Sequence, residues 1–154
     1  MLEVTQLQSV PLFADFSKGE IQSVVSEGDY LELEAGAMLF EENSEGRDIY
    51  LLIEGKISIQ SLVPGTKKQE TKEFYSMKPF DVIGEFSFVD EAPRSASAKA
   101  VRTSTLFRLP AEALDTLIRE DYPLGYKLMR NIARTLCDRI RSTNLALRNQ
   151  MVWL

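Results

Sequence analysis

The residues able to do chemistry concentrate between Val82 and Ala100, VIGEFSFVDEAPRSASAKA, where Gly84-Glu85 and Arg94-Ser95 set one acid and one base on either side of a short apolar turn. These are the parts of a phosphate cradle. Gly84 lets backbone approach a ligand with no Cβ in the way, Arg94 offers a planar fork for two charge-assisted bonds to phosphate oxygens, and Ser95 adds a hydroxyl and an N–H. A carboxylate only accepts, so Glu85 suits the hydroxyls of a sugar and would repel the phosphate itself. Phe86 to Val89 is expected to form a short helical turn whose free N–H groups aim partial positive charge at the same anion. The small residues Ser95-Ala96-Ser97-Ala98 leave room for a ligand. The competing reading is a plain salt bridge between Glu85 and Arg94 that braces a loop in a domain binding nothing; such a brace needs neither the glycine, the small residues nor the apolar turn.

Composition narrows what else the chain can do. With no His, the commonest metal ligand and general base is missing, which removes cupin-type metal sites, histidine-ligated haem and Ser-His-Asp catalysis. No catalysis is expected. The single cysteine, Cys137, cannot close an intramolecular disulfide, and a reducing cytoplasmic compartment is expected. Cys137 itself reads as a small core hydrophobe on the apolar side of its helix. No apolar run approaches the roughly 20 residues of a membrane span, and Met1-Leu2-Glu3 does not open a signal peptide, so no membrane partner is expected. At 154 residues and 44% hydrophobic content, one globular domain with its own core is the expectation. The 18 Lys and Arg against 23 Asp and Glu disfavour a nucleic-acid coat. That charge is divided: residues 1–123 hold 12 basic and 22 acidic side chains, a net of −10, and residues 124–154 hold six against one, a net of +5.

Hydrophobic periodicity supplies the scaffold. Leu7, Val10, Leu12, Phe13 and Phe16 surround Pro11, and Ser17-Lys18-Gly19-Glu20 is a capping box that predicts a short helix to about Glu27. From Asp29 to Leu109 the texture is that of strands: Tyr30, Leu31 and Leu33 among acids, the apolar run Ile49–Ile53, and strict alternation over Lys56–Gln60. Turn signals at Ala35-Gly36, Glu45-Gly46, Glu54-Gly55, Val63-Pro64-Gly65 and Lys78-Pro79 punctuate them as in an antiparallel barrel or jelly roll. Beyond Leu109-Pro110, a short helix is expected over Ala111–Arg119, then a cap and first-turn proline at Asp121-Tyr122-Pro123 opening a long one. In that helix Leu124, Leu128, Met129 and Ile132 form an apolar stripe, continued as a heptad seam by Leu136, Ile140, Thr143, Leu147, Gln150 and Leu154. The stripe can pack on the domain's own sheet, its C-terminal part can pair with a second copy, and the two are compatible. The basic flank Lys127, Arg130, Arg134, Arg139, Arg141 and Arg148 reads as a solvated face, with docking of an acidic protein partner as the alternative. Trp153 at the extreme end suggests that the last turn packs on something.

The cassette at Gly84-Glu85 and Pro93-Arg94-Ser95-Ala96 resembles the phosphate-binding cassette of the cyclic nucleotide-binding domain family, found in catabolite activator proteins, protein kinase A regulatory subunits and nucleotide-gated channels. VPLFADFSKGEIQSVV resembles that family's opening helical segment and AGAMLFEENSEGRDIYLLIEGKISI its first barrel strands, so the resemblance covers essentially the whole chain. One departure is Glu42-Asn43, where many relatives have glycine in the turn; Asn tolerates left-handed geometry, and the change is expected to affect the turn and not the pocket.

The resemblance implies an α+β fold: an antiparallel β-roll (double-stranded β-helix or jelly roll) over 29–110, with the cassette at 82–100, between short N-terminal helices in 1–28 and helices in 111–154 that include a long C-terminal one. It implies that Arg94 pairs with the exocyclic oxygens of a cyclic phosphate, that Glu85 accepts from the ribose 2′-hydroxyl, and that Gly84 and the backbone around Phe86, Ser95 and Ala96 line the sugar-phosphate. Aligning Leu128-Met129-Arg130 with its counterpart places Ser142-Thr143 at the pair that reaches the base. The implied function is a non-catalytic sensor for a 3′,5′-cyclic nucleotide, with cAMP favoured over cGMP, signalling through the C-terminal helix. It needs no cofactor or metal, and a homodimer through that helix is expected. The alternative is a ligand-free scaffold domain of the same fold. DNA binding by this chain is not expected, because no helix-turn-helix follows the long helix in the sequence.

Overall fold

The computed structural model describes residues 3–63 and 70–151. The Pro64-Gly65 turn, Trp153 and the Leu154 end of the heptad seam lie outside those residues. No helix in the described part is long and apolar enough to cross a membrane. The chain divides into two compact units, Ser23–Thr116 and Met1–Gln22 with Leu117–Leu154.

The first unit is built on one antiparallel sheet of six strands, β1 (Asp29–Leu33), β2 (Met38–Phe40), β3 (Ile49–Leu62), β4 (Thr71–Ser76), β5 (Val82–Ile83) and β6 (Ser97–Leu109). Its main order is β1-β6-β3-β4, with β2 also paired to β6 and β5 to β3. The expected antiparallel roll is therefore present. Its core forms where β3 and β6 face each other, because large and small side chains alternate in opposite senses on the two strands. Ile57 registers against Ala100 and Ile59 against Ala98. With Leu52, Met77, Ala96 and Leu106 these residues form one buried cluster, and Lys99, between two buried alanines, points out.

The Glu54-Gly55 turn signal proves to be something else. β3 runs unbroken from Ile49 to Leu62, and the glycine sits in a bulge at φ 108°, with register shifts on either side. A side chain there would collide with Ser104, whose hydroxyl accepts from the Lys56 amide at 3.0 Å. Gly55 thus bends one long strand where the sequence reads as two strands joined by a turn.

The second unit contains α1 (Val4–Leu7), a 3-10 turn at Pro11–Phe13 and α5 (Tyr122–Met151), together with the start of α2 (Lys18–Val25) and the end of α4 (Ala111–Glu120). The predicted capping box opens α2: the Ser17 amide donates to Glu20 at 2.7 Å and the Glu20 amide to the Ser17 hydroxyl at 3.2 Å. The predicted Asp121 cap accepts from Leu124 N at 3.0 Å at the start of α5. Asn131, 2% exposed on α5, donates to the Leu12 and Ala14 carbonyls at 3.0 and 2.7 Å, satisfying a turn that has no ladder of its own.

Along α5 the stripe divides. Leu124, Leu128 and Ile132 are buried, Leu136 is half-buried, and Ile140 and Leu147 are 59% and 51% exposed. Cys137 is exposed, which corrects its reading as a core residue: at 3.6 residues per turn it lies about 100° round the helix from Leu136, off the stripe. Among the basic residues, Lys127 pairs with Glu20 at 2.7 Å, Arg134 with Asp15 at 3.5 Å and Arg141 with Asp138 at 3.0 Å.

The Lys127 ammonium, and after it the Ser17 amide, hold the Glu20 carboxyl below the usual glutamate range. A depressed carboxyl stabilises the fold above its unfolded-state pKa and loses that contribution as pH falls through the folded one. The Glu20→Gln protein should therefore be less stable than the parent at pH 7, with the gap narrowing as the pH drops through and below the glutamate range. Paired urea titrations across that range measure it.

Candidate functional site

The site is assembled around Arg94, which enters β6 from the cassette and is 3% exposed. The loop between β2 and β3 holds its backbone: Asn43 N donates to Arg94 O at 2.8 Å, and Arg94 N donates to Ser44 O at 2.9 Å. Asn43 takes the left-handed conformation its type tolerates, φ 65°. Its amide nevertheless reaches the cassette, so this turn supports the arginine directly and is not separate from the pocket, as the sequence suggests.

The guanidinium is held by carbonyls and rings. Nη1 donates to Gly84 O at 3.2 Å and Nη2 to Asp48 O at 3.0 Å. Its carbon lies 4.4 Å from the centre of the Phe40 ring and 5.8 Å from that of Tyr50. Nε is buried with no hydrogen-bond partner among the described residues. Burial draws the Arg94 pKa downward, and the negative charge available to Tyr50, Asp48 and Glu85 opposes that shift. The Tyr50 hydroxyl is pushed upward, chiefly by its own burial. Arginine has five N–H donors and two are used here, so donor capacity is left beside a cation that forms no salt bridge to a carboxylate among the described residues.

Gly84 makes this approach possible. It sits at φ 95°, where a Cβ would collide with the Asp48 carbonyl oxygen and come within 2.8 Å of Arg94 Nη1. It also caps α3 (Glu85–Asp90), the helical turn expected from the apolar FSFV stretch, and its carbonyl accepts from Phe88 N at 3.3 Å. Glu85 follows as the first helical residue, 1% exposed.

Gly84, Glu85, Arg94 and Ala96 are thus buried in the sheet unit. Phe86 is 43% exposed on α3 and Ser95 is exposed. Ser142 and Thr143 lie on the exposed part of α5 in the helical unit, where the Thr143 hydroxyl donates to Arg139 O at 2.9 Å. Asp48, Phe40 and Tyr50 are not among the site residues that the sequence singles out. Asp48 acts here through its main-chain oxygen, which leaves no side-chain signature, although the Glu45-Gly46 turn signal marks its loop. The two rings read only as strand apolars.

A family model described as cyclic nucleotide-binding domain matches residues 30–121, spanning the sheet and the cassette. The chain belongs to this family. A CRP-like cAMP-activated global transcriptional regulator of Mycobacterium tuberculosis is 26% identical over 133 residues, covering 86% of this chain and 56% of its own length. A cyclic AMP receptor protein of Thermus thermophilus is 29% identical over 141 residues, covering 92% and 62%. The chain therefore spans about three fifths of the length of these two relatives. The crystal structure of the Thermus thermophilus catabolite activator protein superposes with a TM-score of 0.78 at 29% identity, over 92% of this chain and 63% of that one.

Because the Gly84 backbone is left-handed and its missing Cβ faces a carbonyl, Gly84→Ala should destabilise the protein by about 1–3 kcal/mol. The shift in the urea midpoint relative to the parent measures this.

Proposed function

We propose that this domain is a non-catalytic sensor that binds a 3′,5′-cyclic nucleotide, cAMP in preference to cGMP, and signals through its C-terminal helix. The observation that carries the reading is the state of Arg94, a buried cation met by two carbonyls and two rings, with its buried Nε–H unclaimed among the described residues. Leaving a guanidinium short of charge compensation in the interior is costly, and an anion of matching geometry relieves that cost. A structural brace would end on a carboxylate. The buried Glu85 at the start of α3 supplies acceptors suited to the ribose 2′-hydroxyl, and Gly84 keeps the backbone close enough to line the sugar-phosphate together with the backbone of Phe86, Ser95 and Ala96.

The family resemblance assigns contact with the base to Ser142 and Thr143, a pair able to serve either purine. The exposed Ile140 and Leu147, on the heptad seam with Leu136, favour pairing of α5 with a second copy as the route by which the helix reports occupancy. A coupling of about 1–3 kcal/mol between nucleotide and helix arrangement changes partner affinity about 5–150-fold. Because residues 1–123 carry a net of −10, long-range steering of an anionic ligand is poor, and affinity comes from short desolvated contacts.

Titrating cAMP and cGMP by calorimetry should show saturable binding of both, with cAMP tighter. Arg94→Leu should weaken cAMP by roughly 100-fold or more, since two or more charge-assisted bonds are lost. Absence of heat and of any thermal stabilisation from either nucleotide at millimolar concentration would reject the sensor and leave the ligand-free scaffold.

A further inference from the structure

Arg94 is not the only arginine that the β2–β3 loop ties to a helix. Two residues before β3, the Arg47 side chain gathers three partners. Nη1 and Nη2 donate to the two Asp115 carboxylate oxygens on α4 at 3.0 and 3.5 Å. Nη2 also donates to Phe88 O at 3.4 Å and lies 3.5 Å from Glu91 Oε1, both at the C-terminal end of α3, and the guanidinium carbon is 5.7 Å from the centre of the Phe88 ring. The Asp115 hydrogen bond raises the Arg47 pKa, so the fork stays charged. The next residue, Asp48, links the same two places by its other atoms: its carbonyl accepts from Arg94, and its Oδ1 accepts from Ala111 N at 2.9 Å, capping α4. Two adjacent residues therefore touch the cassette arginine, the end of the cassette helix and the beginning of α4, all within the sheet unit.

We propose that Arg47 and Asp48 form a relay in which the state of Arg94 is transmitted to α4, the Asp48 main chain sensing the guanidinium and the Arg47 fork fixing Asp115 to the end of α3. The inference rests on the sensor reading above and adds to it a positioning pair. A phosphate that takes the Arg94 fork competes with the Asp48 carbonyl and sets a negative oxygen near it. The peptide must then yield, and its own side chain, already bonded to Ala111 N, carries the shift into the first turn of α4. Arg47 converts a movement at the end of α3 into a pull on Asp115, one turn beyond Ala111 on α4. Neither residue needs to touch nucleotide.

Hydrogen exchange over residues 111–116, with and without saturating cAMP, tests this on the full chain. In the parent protein the nucleotide should change exchange there by about fivefold or more. Arg47→Met and Asp115→Asn should each bind cAMP within about threefold of the parent by calorimetry, yet show less than about a twofold change in α4. The relay is overturned if either variant binds and responds as the parent does, if the parent binds while α4 stays silent, or if both variants lose binding, which would make Arg47 part of the site's construction. Failure of the parent to bind cAMP or cGMP at all removes the sensor reading and the relay with it, an outcome distinct from binding without a response.

Discussion

A positive charge held out of water is the constraint around which the sheet unit is arranged. Arg94 lies at the entry to β6 with its backbone pinned to Asn43 and Ser44, its fork on the Gly84 and Asp48 carbonyls and its plane against Phe40 and Tyr50. Each of those partners has a reason to be where it is. The loop needs Asn43 in left-handed geometry to bring its amide round, Gly84 needs no side chain so that Asp48 can approach, and the Phe40 and Tyr50 rings, from two strands that each pair with β6, pack against the cluster that holds Ala96 and Ala98. Dipoles and π faces compensate a guanidinium in part, where a carboxylate would do so fully. That partial compensation is what the proposed anion site has in place of a finished ion pair.

The small residues of β6 serve the same end by a different physical route. Ala98 and Ala100 give β3 the volume for Ile57 and Ile59, and with Ala96, just before the strand, they keep the segment that follows Arg94 packed in the same cluster. Packing and recognition here use one pattern of side chains, so a larger residue at Ala96 would disturb both.

How far the sequence could be read depended on whether a feature is carried by side-chain type or by main-chain geometry. The capping box at Ser17 and Glu20, the Asp121 cap, the α3 turn and the buried acid and base at Glu85 and Arg94 were all legible, because each depends on a side chain whose chemistry is specific. Gly55 was read as a turn because glycine marks turns and bulges alike, and only pairing across the sheet distinguishes them. Asp48 was missed because a carbonyl looks the same on every residue. Cys137 was misplaced because apolar neighbours along the chain are not neighbours around a helix.

The lone thiol on α5 gives this helix a practical property. Cys137 is the sequence's only cysteine and stands in solvent between the buried stripe that ends at Ile132 and the uncovered leucines beyond. A maleimide fluorophore or nitroxide attached to the unaltered protein would therefore carry a single reporter on the element assigned the output, leaving the cassette untouched.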